Sequence, residues 1–169
     1  MNTLSTDVLV IGGGATGAGV AWDAALRGFD VVLADRGDLA TGTSGRFHGL
    51  VHSGGRYAVK DPNAAKECAH ENGIIRKVAS ASVEDTGGFF VTTPFDDPEY
   101  ADRFAAGCQA TGVPCEEIDP AQATREEPRL NPGISRAFRV PDASVDTWLL
   151  VWGLAEGARQ HGLDVLAPV

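Results

Sequence analysis

Apolar and polar positions along this chain switch between two periods, and the first switch comes early. Asp7-Val8-Leu9-Val10-Ile11 is a short apolar run ending in Gly12-Gly13-Gly14, the pattern of a fully buried strand entering a tight turn. From Ala15 to Arg27 the small positions Ala18, Ala21 and Ala25, with Val20, Trp22 and Leu26 nearby, predict a helix able to pack closely on a sheet. Gly28 closes that helix as a C-terminal cap. Val31-Val32-Leu33-Ala34 predicts a second buried strand, with Asp35 standing at its end. Strand, helix and strand in sequence make a βαβ unit, which implies parallel pairing and a right-handed crossover.

The stretch from Gly37 to Gly55 is rich in Gly, Ser and Thr, too varied for a flexible linker and too glycine-rich for a regular strand or helix. Asp61-Pro62 caps a helix over 64–79, with Ala65, Cys68, Ile75 and Val78 at roughly helical spacing. Gly88 to Pro94 predicts a strand stopped by proline. Asp97-Pro98 opens a helix to Thr111, and Asp119-Pro120 opens another that ends near Pro128. Ser135 to Val140 is a further strand, Asp146-Thr147 precedes an amphipathic helix to about His161, and Asp164 to Val169 is a last strand. A chain that stops on a buried-looking strand is expected to be a piece of a larger protein.

Composition narrows the classes. The chain has 169 residues, of which 43% are hydrophobic and 22% charged, so a disordered or collagen-like chain is excluded. No apolar run approaches the roughly 20 residues of a membrane-spanning helix, and the N-terminus lacks the basic and apolar regions of a secretory signal. Cys68, Cys108 and Cys115 form neither a CxxC nor a disulfide framework, so reduced, buried thiols in a cytoplasmic protein are expected and a metal site is not. The net charge of −9 argues against nucleic acid as a partner. Its distribution matters more. Residues 1–60 and 128–169 are each neutral overall, so the whole excess lies in 61–127, where most acids are read as solvated. The bias of 14 Asp to 3 Lys would suit a salt-rich cytosol or a biased genome equally well.

Gly12, Gly14 and Gly17 form G-x-G-x-x-G directly between the first strand and helix. The first glycine allows the turn, the second lets backbone approach a pyrophosphate, and the third lets helix and strand pack closely. The helix N-terminus favours phosphate charge, and Asp35 is placed to accept from adenosine ribose hydroxyls. Adenine dinucleotide binding follows; FAD and NAD are not separated by this feature. The loop Thr41–Arg46 offers N–H groups and hydroxyls where a pyrophosphate or flavin extends. His48 and His52 lie four apart across glycine, which argues against a helical metal pair. Either hydrogen-bonds a flavin ring or satisfies backbone. Arg56-Tyr57 suits a phosphate or carboxylate substrate, unless Arg56 pairs with an acid beyond Lys60.

The runs GGGATGAGVAWDAALRG (12–28) and ATGTSGRFHGLVHSGGRYAV (40–59) carry a resemblance to the FAD-dependent glycerol-3-phosphate dehydrogenases, in particular to the large catalytic subunits of the anaerobic, multisubunit type. It continues through ECAHEN (67–72), GFFVTTP (88–94), IDPAQA (118–123) and VPDASVD (140–146). The resemblance implies an α/β fold: a Rossmann-like FAD-binding domain of the amino-acid-oxidase type with the beginning of an α+β substrate domain, truncated. It implies FAD-binding segments at 1–80 and 141–169 and the start of a substrate domain at 81–140. The implied reaction is oxidation of sn-glycerol 3-phosphate to dihydroxyacetone phosphate by hydride transfer to flavin. Electrons then pass to quinone through partner subunits, with peripheral association at the inner face of the cell membrane only for the full complex. The implied cofactor residues are Gly12, Gly14, Ala15, Thr16, Gly17, Asp35, Arg36, Thr41, Gly42, Thr43, Ser44, His48, Gly49 and His52, and the substrate residues Arg56 and Tyr57. Asp35 stands where the family usually has Glu. The general base is expected beyond Val169, so this chain alone is expected to have little or no dehydrogenase activity. Alternatives are a related FAD oxidoreductase acting on another hydroxy or amino compound, or a non-catalytic dinucleotide-binding module.

Overall fold

The computed structural model describes residues 4–166. In chain order it contains strand β1 (Val8–Ile11), helix α1 (Ala15–Leu26), strands β2 (Val31–Ala34) and β3 (Leu50–Val51), helix α2 (Pro62–Val78), and strands β4 (Val83–Glu84) and β5 (Gly88–Thr92). Helix α3 (Tyr100–Thr111), strand β6 (Glu116–Ile118), helix α4 (Pro120–Glu126), strands β7 (Arg136–Val140) and β8 (Ala143–Val145), helix α5 (Thr147–Arg159) and strand β9 (Asp164–Leu166) follow. Short 3₁₀ turns lie at Thr43–Arg46, Gly55–Tyr57 and Ser80–Ser82.

The chain divides into two compact units. The first takes the residues up to Gly49, Ala79–Ser82 and those from Val145 on; the second takes Leu50–Val78 and Val83–Ser144. In the first, β1, β2 and β9 form a parallel sheet in the order β1-β2-β9, with Val8 opposite Val31 and Val32 opposite Asp164. This is the parallel βαβ unit that the sequence predicts. Ala18, Ala21 and Ala25 of α1 are buried with Val151, Ala155 and Ala158 of α5. Small residues on both helices permit that close approach. Gly28 has φ 86, the left-handed conformation that ends α1.

The strand β1 is not fully buried, contrary to the reading of its apolar run. Val10 is buried, whereas Leu9 is 57% and Ile11 84% exposed. Alternate side chains of a strand point to opposite faces: Val8 and Val10 pack into the core with the helices, and Leu9 and Ile11 face the other way. β1 also pairs only with β2 among the described residues.

In the second unit, β5, β7 and β6 form an antiparallel sheet in the order β5-β7-β6, with Phe90 opposite Phe138. Phe90 stacks on Phe104 of α3 at 4.6 Å, and Phe104 meets Phe138 edge-on at 5.3 Å. A second small sheet joins β3, β8 and β4. Two expectations are corrected here. The glycine-rich stretch does hold a regular strand, Leu50–Val51, completed by antiparallel pairing with Ala143 and Ser144. On α2, Val78 is 45% exposed, and the buried positions are Ala65 and the polar Asn72. Residues 167–169 of the last expected strand lie outside the described residues.

Candidate functional site

Local sequence builds the turn between β1 and α1. Gly12 has φ 114, a conformation that a side chain strains, and its N–H donates to Ala34 O at 2.8 Å, tying the turn to the end of β2. A β-carbon on Gly17 would lie 1.8 Å from the Gly12 carbonyl oxygen, so helix and strand approach as closely as they do only because Gly17 has none. Gly14 is the N-cap of α1 and supplies no capping side chain; the first turn carries no acid.

The capping group comes from further along the chain. Ser44 Oγ accepts the Ala15 N–H at 2.9 Å, and a β-carbon on Gly14 would lie 2.9 Å from that same oxygen. The N–H groups of Gly14, Thr16 and Gly17 have no acceptor among the described residues. The loop carrying Ser44 is held against the turn: Ala40 N–H donates to Gly13 O at 2.9 Å, and Leu39 is fully buried beside Gly13. Ala40 has φ 61, the one non-glycine residue in the left-handed region among those described. Thr41, Gly42 and Thr43 are exposed on this loop, and Thr41 Oγ1 donates to Asp38 O.

Asp35 follows β2 and points back at the turn. Its Oδ2 accepts the Gly13 N–H at 2.6 Å and its Oδ1 accepts the Gly37 N–H at 2.9 Å. The Gly13 N–H, then the Gly37 N–H, hold the carboxyl below the usual carboxylate range; burial opposes them, and the Arg36 charge adds to them. The acid is therefore ionised at neutral pH and keeps lone pairs for further donors. Arg36 itself is exposed. The structure thus brings Gly12, Gly14, Ala15, Thr16, Gly17, Asp35 and Ser44 together at one end of the parallel sheet.

Within the same unit, His48 is exposed with its ring 5.2 Å from Phe47, and Gly49 has φ 73. The remaining candidates belong to the second unit. Arg56 and Tyr57 lie in the turn that begins at Gly55; both are exposed, and the guanidinium sits 6.0 Å from the phenol ring centroid. No carboxylate among the described residues forms an ion pair with Arg56, which leaves its charge available to a ligand. His52 follows β3, and its Nδ1 lies 3.1 Å from Asp142 Oδ2.

Asp142 and Asn72 are the polar residues that the sequence reading passed over. Asp142 Oδ1 accepts both the Ser53 N–H at 2.7 Å and the Ser53 hydroxyl at 2.6 Å. Buried Asn72 donates from Nδ2 to Val51 O at 3.1 Å and accepts from Arg76 Nε at 2.6 Å. The available signal was an acid directly after a proline between two strands, Val140-Pro141-Asp142, and an amide four residues before an arginine on a predicted helix. Among the described residues no helix is long and apolar enough to cross a membrane.

Comparison with known proteins gives this geometry its relatives. The family model for FAD-dependent oxidoreductases (DAO) matches residues 7–168. The chain is 48% identical over 162 residues to an anaerobic glycerol-3-phosphate dehydrogenase subunit from Escherichia coli, covering 96% of this chain and 30% of that one. It therefore spans about a third of that relative's length. Among solved structures, it superposes on L-proline dehydrogenase from P. horikoshii with a TM-score of 0.84 at 22% identity, covering 99% of this chain and 45% of that one. It superposes on dithionite-reduced L-alpha-glycerophosphate oxidase from Mycoplasma pneumoniae, with FAD bound, with a TM-score of 0.76 at 20% identity, covering 98% and 45%. At those identities the structures establish the fold alone.

Proposed function

The chain belongs to the FAD-dependent oxidoreductase family, and we propose that it is the N-terminal FAD-binding part of a flavoprotein that oxidises sn-glycerol 3-phosphate to dihydroxyacetone phosphate. The observation that carries this reading is near-half identity, across almost the whole chain, to a subunit of anaerobic glycerol-3-phosphate dehydrogenase. The turn supports the cofactor assignment. A cradle in which a β-carbon on Gly17 would overlap the Gly12 carbonyl, an α1 N-terminus without an acid, and an ionised Asp35 fit the adenosine diphosphate half of FAD.

In this reading the N–H groups of Gly14, Thr16 and Gly17 bind pyrophosphate oxygens, and Ser44 fixes the helix end by taking the Ala15 N–H. Asp35 accepts from ribose hydroxyls while Gly13 and Gly37 hold it in place. Arg36, Thr41, Gly42, Thr43, His48, Gly49 and His52 complete the cofactor set. Arg56 and Tyr57 bind the substrate phosphate, Arg56 through its unpaired guanidinium and Tyr57 through its hydroxyl. Bound FAD supplies the two-electron acceptor for the hydride that leaves C2 of the substrate. The C2 hydroxyl proton needs a base, which we place outside this chain, so the chain alone does not turn over. Electrons go on to quinone through partner subunits, and any membrane association belongs to that complex. Residues 1–80 and 141–169 form the FAD-binding segments and 81–140 the start of the substrate domain.

The test is dye reduction by the full-length flavoprotein with sn-glycerol 3-phosphate, glycerol and an amino acid offered separately. Turnover with the phosphate ester, lost in Arg56→Ala through a raised KM, is expected. Preference for an amino acid or for unphosphorylated glycerol would replace this substrate with another.

A further inference from the structure

Asp142 is 9% exposed, and both of its carboxylate oxygens are occupied. Oδ1 takes the Ser53 N–H at 2.7 Å and the Ser53 hydroxyl at 2.6 Å, which leaves Oδ2 to face His52 Nδ1 at 3.1 Å. The segment bearing it is itself tied down. The Pro141 carbonyl accepts from Arg76 at 2.8 Å and from Asn72 at 3.5 Å, and a β-carbon on Gly88 would lie 3.0 Å from Asp142 Cβ. Burial pushes the Asp142 carboxyl up, but the two Ser53 donors and His52 outweigh it and hold it below the usual range. An ionised carboxylate only accepts, so the ring nitrogen facing it must donate.

We propose that Asp142 is a positioning residue that fixes the tautomer of His52, with the ring proton on Nδ1 and the acceptor lone pair on Nε2. The inference rests on the reading above, in which His52 belongs to the cofactor site. In the neutral ring, the Nδ1 proton that Asp142 selects leaves Nε2 as the acceptor nitrogen.

Asp142→Asn separates this role from packing. The carbonyl of the introduced amide would remain under the two Ser53 donors, turning its N–H₂ toward Nδ1 and forcing the opposite tautomer. In a carboxylate–imidazole pair such an exchange keeps the geometry and loses the original tautomer. The chain is labelled with ¹⁵N-histidine, and His52 is identified among its four histidines by its loss in His52→Gln. Spectra are taken at pH about 9, above the usual imidazole range. The expected result is a proton on Nδ1 in the native chain and on Nε2 in Asp142→Asn. Ser53→Ala, which removes one donor from Oδ1 and leaves Oδ2 in place, is expected to keep the native tautomer. A native ring protonated on Nε2, or one tautomer in both the native chain and a folded Asp142→Asn, overturns the proposal. If Asp142→Asn does not fold, the native and Ser53→Ala spectra decide it. Failure of the full-length flavoprotein to oxidise glycerol 3-phosphate would sink the functional reading and leave the tautomer result standing.

Discussion

A β-carbon on Gly17 would lie 1.8 Å from the Gly12 carbonyl oxygen and 3.4 Å from Val10 Cγ1, whereas one on Gly19 would meet nothing within 4 Å. Two glycines in one helix therefore differ in kind. Gly17→Ala is expected to cost about 1–3 kcal/mol by overpacking against backbone and to reduce the FAD content of the full-length protein. Gly19→Ala is expected to stabilise by about 0.5–1 kcal/mol. Thermal or urea unfolding of the two variants checks both signs. Asp35 makes a prediction in pH. Its folded value is depressed by the Gly13 and Gly37 N–H groups, so its contribution is fully present above the unfolded carboxylate value of about 3.9. That contribution is lost as pH falls through the folded value. The stability gap between the native chain and Asp35→Asn is expected to be constant near neutrality and to close in acid; a gap that widens in acid would contradict the assignment. At this scale the glycine motif and the acid after β2 were legible because their spacing is local. Ser44 over the Gly14–Ala15 peptide and Asp142 beneath Ser53 were not, since each contact joins residues far apart in sequence.

Helix α2 shows why periodicity alone misplaces a buried face. Its inward positions include Asn72, which joins the Val51 carbonyl to Arg76 and, through Arg76, to Pro141. Asn72→Ala is expected to cost about 1–3 kcal/mol, because it strands a buried carbonyl and an arginine donor; unfolding in denaturant reads it. Asn72→Asp, which keeps an acceptor for Arg76 but loses the donor to Val51, separates the two bonds. The starts of α2, α4 and α5 were visible in the chain because they are written locally. Asp61 accepts from Ala64 N–H, Asp119 from Ala121 N–H and Asp146 from Leu149 N–H. The strands β3, β4, β6 and β8 have two or three residues each and no readable alternation. β6 begins Glu116-Glu117, a sequence with no apolar face. It is held by its partner strand: Glu116 lies opposite Arg139 in register, and Glu117 accepts from Arg136 Nε at 2.6 Å.

The same pairs revise the picture of charge across the molecule. The acidic excess of residues 61–127 is partly answered from outside that segment, by Arg136 on Asp102 and Glu117 and by Arg139 on Glu116 and Glu126. These arginines sit in β7, and each acid is more than two-fifths exposed, so screened surface pairing of modest strength is the physical description. Sequence order and compactness also part company. Residues 50–78 begin inside the glycine-rich stretch yet belong to the second unit, a division set by contacts that no linear pattern marks. The parallel βαβ unit, by contrast, was readable from its first 35 residues. The property of the whole molecule that matters most is the reaction. Anaerobic titration of the full-length flavoprotein with sn-glycerol 3-phosphate, followed by flavin absorbance at about 450 nm, tests it most directly. Bleaching with one dihydroxyacetone phosphate formed per flavin reduced is expected; an oxidised spectrum unchanged by sn-glycerol 3-phosphate but bleached by an amino acid would contradict the proposed reaction.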